Sequence, residues 1–404
     1  MRKYFFIGGL GSIVAVCGCG GDVSETLESS AEQSVVATPG HAKNTHAPAC
    51  VESQHRPLRV TTFNAALAPD VAPYVAERKP LVIQSLARQA KQVDALCVQE
   101  FWRDSDFGEL QTRVADDLPV ALRPAPRPGT GSCTLDELIT LGQCLGTNCP
   151  AAAGAELVGC AQAYCAREVG SLSGGCLGCI MNNLDADLSV CAGEGGQGDP
   201  AIYGGSFDVG LLTRLPVLAF ETTKELDSYF VRMGVLYAEL VAPDGKPVHA
   251  FCTHLGSPLD IVPYAGKHES WHQEHLVQVR QLRAYISEKA QAGERVIVMG
   301  DMNTGPDGRG LLGDWSDNYA ELVGNDLTDA YYEQRNADCT WCPDNVFVDD
   351  ASPGKLIDHI LIRGFRPARA HVTRVFDQSV ELTVGTESFA AHLSDHYGLR
   401  GTLQ

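Results

Sequence analysis

The chain lacks a basic surplus: its 404 residues carry 31 Lys and Arg against 50 Asp and Glu, a formal net charge of −19. A protein that coats nucleic acid needs a basic face, so this balance argues against one. It leaves a nuclease open, because net charge says little about one cleft. Beyond the N-terminus no run is long and apolar enough to span a bilayer. No His falls between Cys133 and Cys191, which weakens a zinc cluster there. No thioredoxin-like pattern surrounds Cys339-Thr340-Trp341-Cys342, so a local structural disulfide is favoured over a redox pair.

What is present begins with an export signal. Arg2 and Lys3 precede an apolar, glycine-rich stretch from Tyr4 to Val16, too short for a membrane span. It ends in Val16-Cys17-Gly18-Cys19, similar to a bacterial lipoprotein box. Cys19 is the better candidate for lipidation, since small Gly18 precedes it and bulky Val16 precedes Cys17. An ordinary cleaved secretory signal is the alternative. The expectation is a signal over 1–19, a disordered tether over 20–56 rich in Ser, Glu, Ala, Thr and His, and a folded domain over 57–404. Such a protein is exported and held at the outer membrane or cell surface by its lipid. Cys50, near the end of the tether, could pair with a cysteine of the domain.

Fifteen cysteines in an exported chain favour disulfides. Cys133, Cys144, Cys149, Cys160, Cys165 and Cys176 alternate steps of eleven and five, and Cys179 and Cys191 follow out of phase. Eleven residues make about three helical turns, which predicts both cysteines of each such pair on one face of a short helix. The segment 131–195 is therefore expected to be a helical insert stapled by up to four disulfides, with connectivity open. Cys97 and Cys252, inside strand-like runs, are core residues or a disulfide.

A hydrophobic fraction of 44% suffices for a sizeable core. Short runs rich in Val, Leu and Ile, bounded by Gly, Pro, Asn or Asp, read as strands: LRVTTFNAAL, DALCVQEFW, DVGLLTRLPV, GVLYAELVAP, VHAFCTHLG, RVIVMGDMN and KLIDHILIRG. Helices are predicted over 79–92 and 269–292, the second from helical spacings of His275, Val279, Leu282 and Ile286. The fold class is α+β: two mixed sheets face to face, helices outside, and site residues on strand ends at one rim.

Five segments place polar side chains at such strand ends: TTFNAAL, CVQEFW, FCTHLGSP, VMGDMNTGP and LSDHYGL, with LIDHIL before the last. Glu100 is a strand-end carboxylate suited to a hard cation, which takes one or two carboxylates plus water and substrate oxygens. Asn64 either forms a turn, coordinates the cation through its amide oxygen, or fixes Glu100. His254 is a hydrogen-bonded strand-end histidine or faces a phosphate. In VMGDMNTGP, residues two apart on an extended segment point one way, so Asp301 and Asn303 reach one phosphate and its attacking water. His268, His272 and His275 lie on or near the second helix and read mostly as surface residues.

Together these segments resemble the endonuclease/exonuclease/phosphatase superfamily over about 58–403, with the insert as interruption. The likeness is greatest to its neutral sphingomyelinase-type branch, through KLIDHIL, LSDHYGL and CTWCPDN. The last is similar to a Thr-Trp-Asp-x-x-Asn element, with Cys342 where the branch has Asp. The resemblance implies a four-layered α/β sandwich and a Mg²⁺ or Mn²⁺ ion held by Glu100 with Asn64 and Asp395. It makes His396 the general base, held by Asp358, with His254, Asp301 and Asn303 around the phosphate. It sets His359, beside Asp358, against the other sheet. A phospholipid such as sphingomyelin is the expected substrate, with nucleic acid as the alternative substrate and a non-catalytic surface-binding protein as the third reading. The oligomeric state is not legible.

Overall fold

The computed structural model of the protein describes residues 56–69, 71–129, 131–184, 186–194, 201–257, 264, 266–348, 351 and 353–404. The signal, Cys17, Cys19, Cys50 and the tether to residue 55 lie outside the described residues. Two six-stranded sheets form its centre. The first runs β11 (His371–Val375), β14 (Gly398–Leu403), β1 (Leu58–Asn64), β2 (Ala95–Gln99), β4 (Gly210–Thr213) and β3 (Val120–Leu122). The second runs β5 (Val217–Leu226), β6 (Met233–Val241), β7 (Pro247–His254), β8 (Val296–Asp301), β10 (Asp358–Arg363) and β9 (Thr328–Asp329). A hairpin of β12 (Val380–Val384) and β13 (Glu387–Ala391) stands apart from both.

The central strands are apolar on both faces because both faces are covered. In β8, Ile297 and Met299 join the core between the sheets, while Val296 and Val298 pack outward under helices. Helices α1 (Val75–Ala90) and α2 (Asp104–Val114) cover the first sheet, through Leu86 and Leu110. Helices α7 (Trp271–Lys289) and α8 (Ser316–Val323) cover the second, through Leu282 and Leu322. Four layers result, as expected. Cys97 and Cys252 are bonded across the two sheets, and Cys339 bonds Cys342.

Register carries the function. His254 lies beside Asp301 in the parallel β7–β8 pair, and Asp358 lies opposite Asp301 in the antiparallel β8–β10 pair. Asn64 lies beside Gln99 in the parallel β1–β2 pair, one residue before Glu100. Strand ends of both sheets thus meet at one edge.

The insert holds α3 (Leu135–Asn148), α4 (Gly154–Tyr164), the single turn α5 (Ala166–Val169) and α6 (Gly174–Met181). Thr134 and Glu137 cap the start of α3 reciprocally, each side chain accepting from the other's backbone N–H. Disulfides join Cys133 to Cys176, Cys144 to Cys165, Cys149 to Cys160, and Cys179 to Cys191. Helices stapled by four bridges are as predicted, but the helical-face reading of the eleven-residue step is corrected. Cys133 precedes α3, and Cys149 and Cys165 are the C-terminal caps of α3 and α4. The informative step is five: it sets Cys144 and Cys149 as two nested rungs to Cys165 and Cys160. The twelve described cysteines pair among themselves, so none is left for Cys50.

Two histidine expectations also change. His359 does not face the other sheet; on β10, Ile360 and Ile362 do, and His359 shares the outward face with Leu361. There its Nδ1 meets Asp329 Oδ2 at 2.7 Å and its Nε2 meets Thr304 O at 2.9 Å. His275 is buried rather than at the surface, with Nε2 donating to Met302 O at 2.8 Å and Nδ1 accepting from Asn318 Nδ2 at 3.0 Å. Among the described residues no helix is long and apolar enough to cross a membrane.

Candidate active site

All eight residues singled out in the sequence line one cleft or touch a residue that does. Asp301 is its centre and is 1% exposed. Its Oδ1 accepts the Asn303 backbone N–H at 2.9 Å, and its Oδ2 accepts Asn64 Nδ2 at 2.9 Å. The same Oδ2 stands 3.6 Å from His254 Nε2 and 3.6 Å from His396 Nε2. Two imidazoles therefore face one carboxylate from opposite elements, one from β7 and one from the loop before β14.

Each imidazole is held from behind by a second carboxylate. His396 Nδ1 meets Asp358 Oδ2 at 2.9 Å. His254 Nδ1 meets Asp208 Oδ2 at 2.5 Å. Asp208 was not singled out from the sequence: it opens the DVGLLT run, two residues before β4, with no flanking motif to mark it. Its Oδ2 also accepts the Glu100 backbone N–H at 2.9 Å, tying the second imidazole to the putting-place of Glu100 on β2's end. Burial works against charge on His254, but Asp208, Asp301 and Glu100 outweigh it and push its pKa up to about 10. Those carboxylates favour the charged ring, whose Nε2 lies 3.6 Å from Asp301 Oδ2 and 3.1 Å from Asn303 Nδ2. Burial likewise opposes the charged form of His396, and Asp358 and Asp301 raise its pKa well above the ordinary histidine value.

Asn64 bridges the two halves. Its Oδ1 accepts the Ala66 N–H at 3.0 Å, which fixes the amide orientation, because only oxygen can accept there. Its Nδ2 donates to Glu100 Oε1 and Asp301 Oδ2, both at 2.9 Å. Of the roles open to it in the sequence, its Nδ2 takes the one that fixes Glu100, while its Oδ1, which accepts one hydrogen bond, keeps a second lone pair. Asp301 and Asn303 do share one site, but not on an extended segment. Asn303 has φ 46°, and its N–H closes an Asx-type turn on Asp301. Ala66 at φ 47° and Glu100 at φ 58° are left-handed as well. Three non-glycine residues in this sparsely populated region around one cleft mark strain held for position. Gly300 is obligatory, since a Cβ there would lie 1.8 Å from Thr253 O.

Further residues hold the site without touching its centre. Arg78, buried on α1, donates to the Ala65, Ala66 and Leu393 carbonyls, pinning the loops that follow Asn64 and precede Asp395. A helix-spaced arginine gives no sequence signal for this. Thr340 Oγ1 accepts from the Asp358 N–H at 3.1 Å, and Asn345 Nδ2 donates to Ser394 O at 2.8 Å. The CTWCPDN segment therefore props the Asp358–His396 pair.

The cleft fits a hard divalent cation. Glu100, Asp301 and Asp395 line it with Asp358 behind His396, and Lys355, the lysine on its wall, is engaged by Asp314 at 2.7 Å. Burial and then repulsion by Asp395 raise the Glu100 pKa, with His254 pulling the other way. Asp358 Oδ1 is buried with no hydrogen-bond partner. Asp301, Asp358 and His396 bring ligand atoms within 4.8 Å of one another, a set that could itself hold an ion. Glu100 and Asp395 add a second group of carboxylates that repel each other, and oxygen-only ligation there suits a hard cation such as magnesium.

These features define a phosphoesterase site. The model of the endonuclease/exonuclease/phosphatase family matches residues 61–396, and the chain belongs to that family. No curated protein sequence matches the chain. Among solved structures it is similar to SmcL, at 13% identity and a TM-score of 0.54, covering 86% of this chain and 99% of that one. It is similarly related to a variant of beta toxin from Staphylococcus aureus with bound magnesium ions, at 12% identity and a TM-score of 0.54, covering 86% of this chain and 100% of that one. At these identities the likeness is one of fold.

Proposed function

We propose that the protein is an exported, magnesium-dependent phosphodiesterase that cleaves a phospholipid of the sphingomyelin type. The observation that carries the chemistry is the pair of carboxylate-backed imidazoles facing Asp301 Oδ2 at 3.6 Å each. A diester hydrolysed by in-line displacement needs a proton acceptor on the water side and a proton donor on the opposite, leaving-group side. His396 Nε2 takes the proton of the attacking water, with Asp358 fixing its tautomer and stabilising the charge it acquires. Asp301 orients that water between the rings. As the water oxygen bonds to phosphorus, the bond from phosphorus to the alkyl oxygen breaks, and His254 Nε2 protonates the departing alcohol. Asn303 holds a phosphoryl oxygen. Glu100 and Asp395 would hold the cation, which when bound neutralises the carboxylates, polarises the phosphoryl group and lowers the proton affinity of both imidazoles.

The lipid reading is supported by the likeness of KLIDHIL and LSDHYGL to the sphingomyelinase-type branch, by the net charge of −19, and by the lipoprotein-like N-terminus. The six disulfides support an oxidising compartment. A substrate panel of sphingomyelin vesicles, phosphatidylcholine vesicles and duplex DNA, each with Mg²⁺ or with chelator, tests it. Phosphocholine release that chelation abolishes is expected; preferential DNA cleavage would replace the lipid with nucleic acid.

A further inference from the structure

The catalytic cleft does not end at the sandwich. One continuous cavity of about 440 Å³ runs from Glu100, His254, Asp301 and His396 into the cysteine-rich insert. Inside the insert its wall is made by Leu141, Leu145, Leu157, Leu172, Leu177 and Ile180 with their apolar neighbours. Among the described residues, Gln162 is the only polar side chain that the insert contributes to this wall. Between the two ends stands Trp102, stacked on Tyr203 at 4.4 Å, with its indole nitrogen 3.4 Å from Glu100 Oε2.

Small domains ordinarily spend their few large apolar residues on filling their own centre. Protein interiors leave few voids larger than a water molecule. Here leucines of the insert's own apolar cluster, Leu141, Leu145 and Leu177 among them, also line the shared space, and four disulfides hold the helices around it. The return from the insert to β4 is fixed by strain: Tyr203 has φ 56° and Gly205 φ 74°, where a Cβ would lie 2.0 Å from Arg127 O. That junction sets Tyr203 against Trp102 at the point where polar wall changes to apolar wall.

We propose that the insert is the binding site for the hydrocarbon chain of the phosphodiester, so that the protein takes one lipid molecule end-on, phosphate on the sandwich and alkyl chain in the stapled helices. This rests on the phosphodiesterase reading and names its substrate class: an amphiphile with an extended alkyl chain. Continuity with the phosphate site favours that occupant, because the apolar space opens directly off the site where the phosphate's substituent begins. The lining offers a peptide or sugar almost no hydrogen-bond partner. At about 30 Å³ for each water-sized group, the cavity has room for roughly fifteen such groups, shared between the phosphate end and an alkyl chain in the apolar end.

The test uses the full protein with Mg²⁺ and alkylphosphocholines from ethyl to hexadecyl, below the concentration at which each forms micelles. The expected kcat/KM rises by about fourfold per methylene, the factor for burying one CH₂, and levels off when the cavity is full. Ala161→Phe, which narrows the apolar end, is expected to cut the dodecyl-to-ethyl ratio of kcat/KM at least tenfold. Independently of turnover, a dodecylphosphocholine brominated at its chain end should quench tryptophan fluorescence saturably, and Ala161→Phe should weaken that binding. A kcat/KM independent of chain length, an unchanged ratio in the variant, or no saturable quenching would each overturn the chain site. If no alkyl diester is cleaved but DNA is, the lipid phosphodiesterase reading fails, while quenching still reports on the cavity.

Discussion

The sandwich and the insert are built on opposite plans. In the sandwich, apolar side chains fill both faces of both sheets, and the interior pocket that remains is polar, with each carboxylate and imidazole given a partner. In the insert, covalent bridges hold the helices and the space between them is apolar. The difference separates two tasks. Chemistry needs groups fixed to within tenths of an ångström, which dense packing and hydrogen bonds supply. A site for a hydrocarbon needs open volume, which disulfides allow because they stabilise without filling.

The largest expected effects fall on the sandwich side of this comparison. His396→Ala and Asp301→Asn should each lower kcat by roughly 10²-fold or more, the scale for losing a general base or the group that positions the nucleophile. Asp208→Asn, at the position the sequence did not signal, should fall in the same range. All three should lower hydrolysis of short and long diesters by the same factor. Because Asp301 and His396 are buried rather than exposed at the rim, thermal unfolding must be measured beside activity. A variant that turns over normally would remove that residue from the mechanism.

Glu100→Gln should act next most strongly, and through the cation. Activity at low Mg²⁺ should be lost, and excess Mg²⁺ should restore part of it. Titration calorimetry should show weaker Mg²⁺ binding; unaltered affinity would move the ion to the Asp301, Asp358 and His396 group.

Opening the insert should divide the two regions. Cys149→Ser with Cys160→Ser removes one rung between α3 and α4. Local stability there should fall by about 2–4 kcal/mol, read as faster amide exchange over 135–164, while the sheets keep their protection. Equal loss of protection in the sheets would show that the two regions fold as one unit.

The smallest effect is a pH dependence confined to the outer layer of the sandwich. Burial pulls the His275 pKa down to about 4, against the Met302 carbonyl that favours its charged form. The folded value lies below the unfolded one, so this group's stability is present above about pH 6.5 and is lost as pH falls toward 4. Between pH 7 and 5 the protein should lose about 2 kcal/mol more than a His275→Gln variant in denaturant titrations. No difference between the two would mean that folding leaves the His275 pKa where it is in the unfolded chain.

The two plans also explain what could be read in advance. Strand ends in the sandwich were legible because a polar residue closing an apolar run breaks its pattern, as Glu100 and Asp301 do. The predicted helices over 79–92 and 269–292 appear as Val75–Ala90 and Trp271–Lys289, shifted at ends that side-chain periodicity does not mark. Asp208 and Arg78 were not legible, because each acts by where a distant segment passes: Asp208 reaches β7, and Arg78 reaches Leu393. His359 was misplaced because alternation along β10 assigns opposite faces without saying which is inner. In the insert the cysteine spacing was visible but its meaning was not, since helix ends rather than helix faces set the pairing. The cavity left no signal, because leucines lining a hollow and leucines filling a core have the same spacing.

The division of labour is tested most directly by replacing residues 131–194 with a short Gly/Ser bridge and comparing ethyl- and dodecylphosphocholine hydrolysis with Mg²⁺. The ethyl substrate should be cleaved within a few-fold of the intact protein, while the advantage of the dodecyl chain disappears. Equal loss on both substrates would show that the insert supports the fold of the sandwich, and an undiminished preference for the dodecyl chain would contradict its role in holding the lipid.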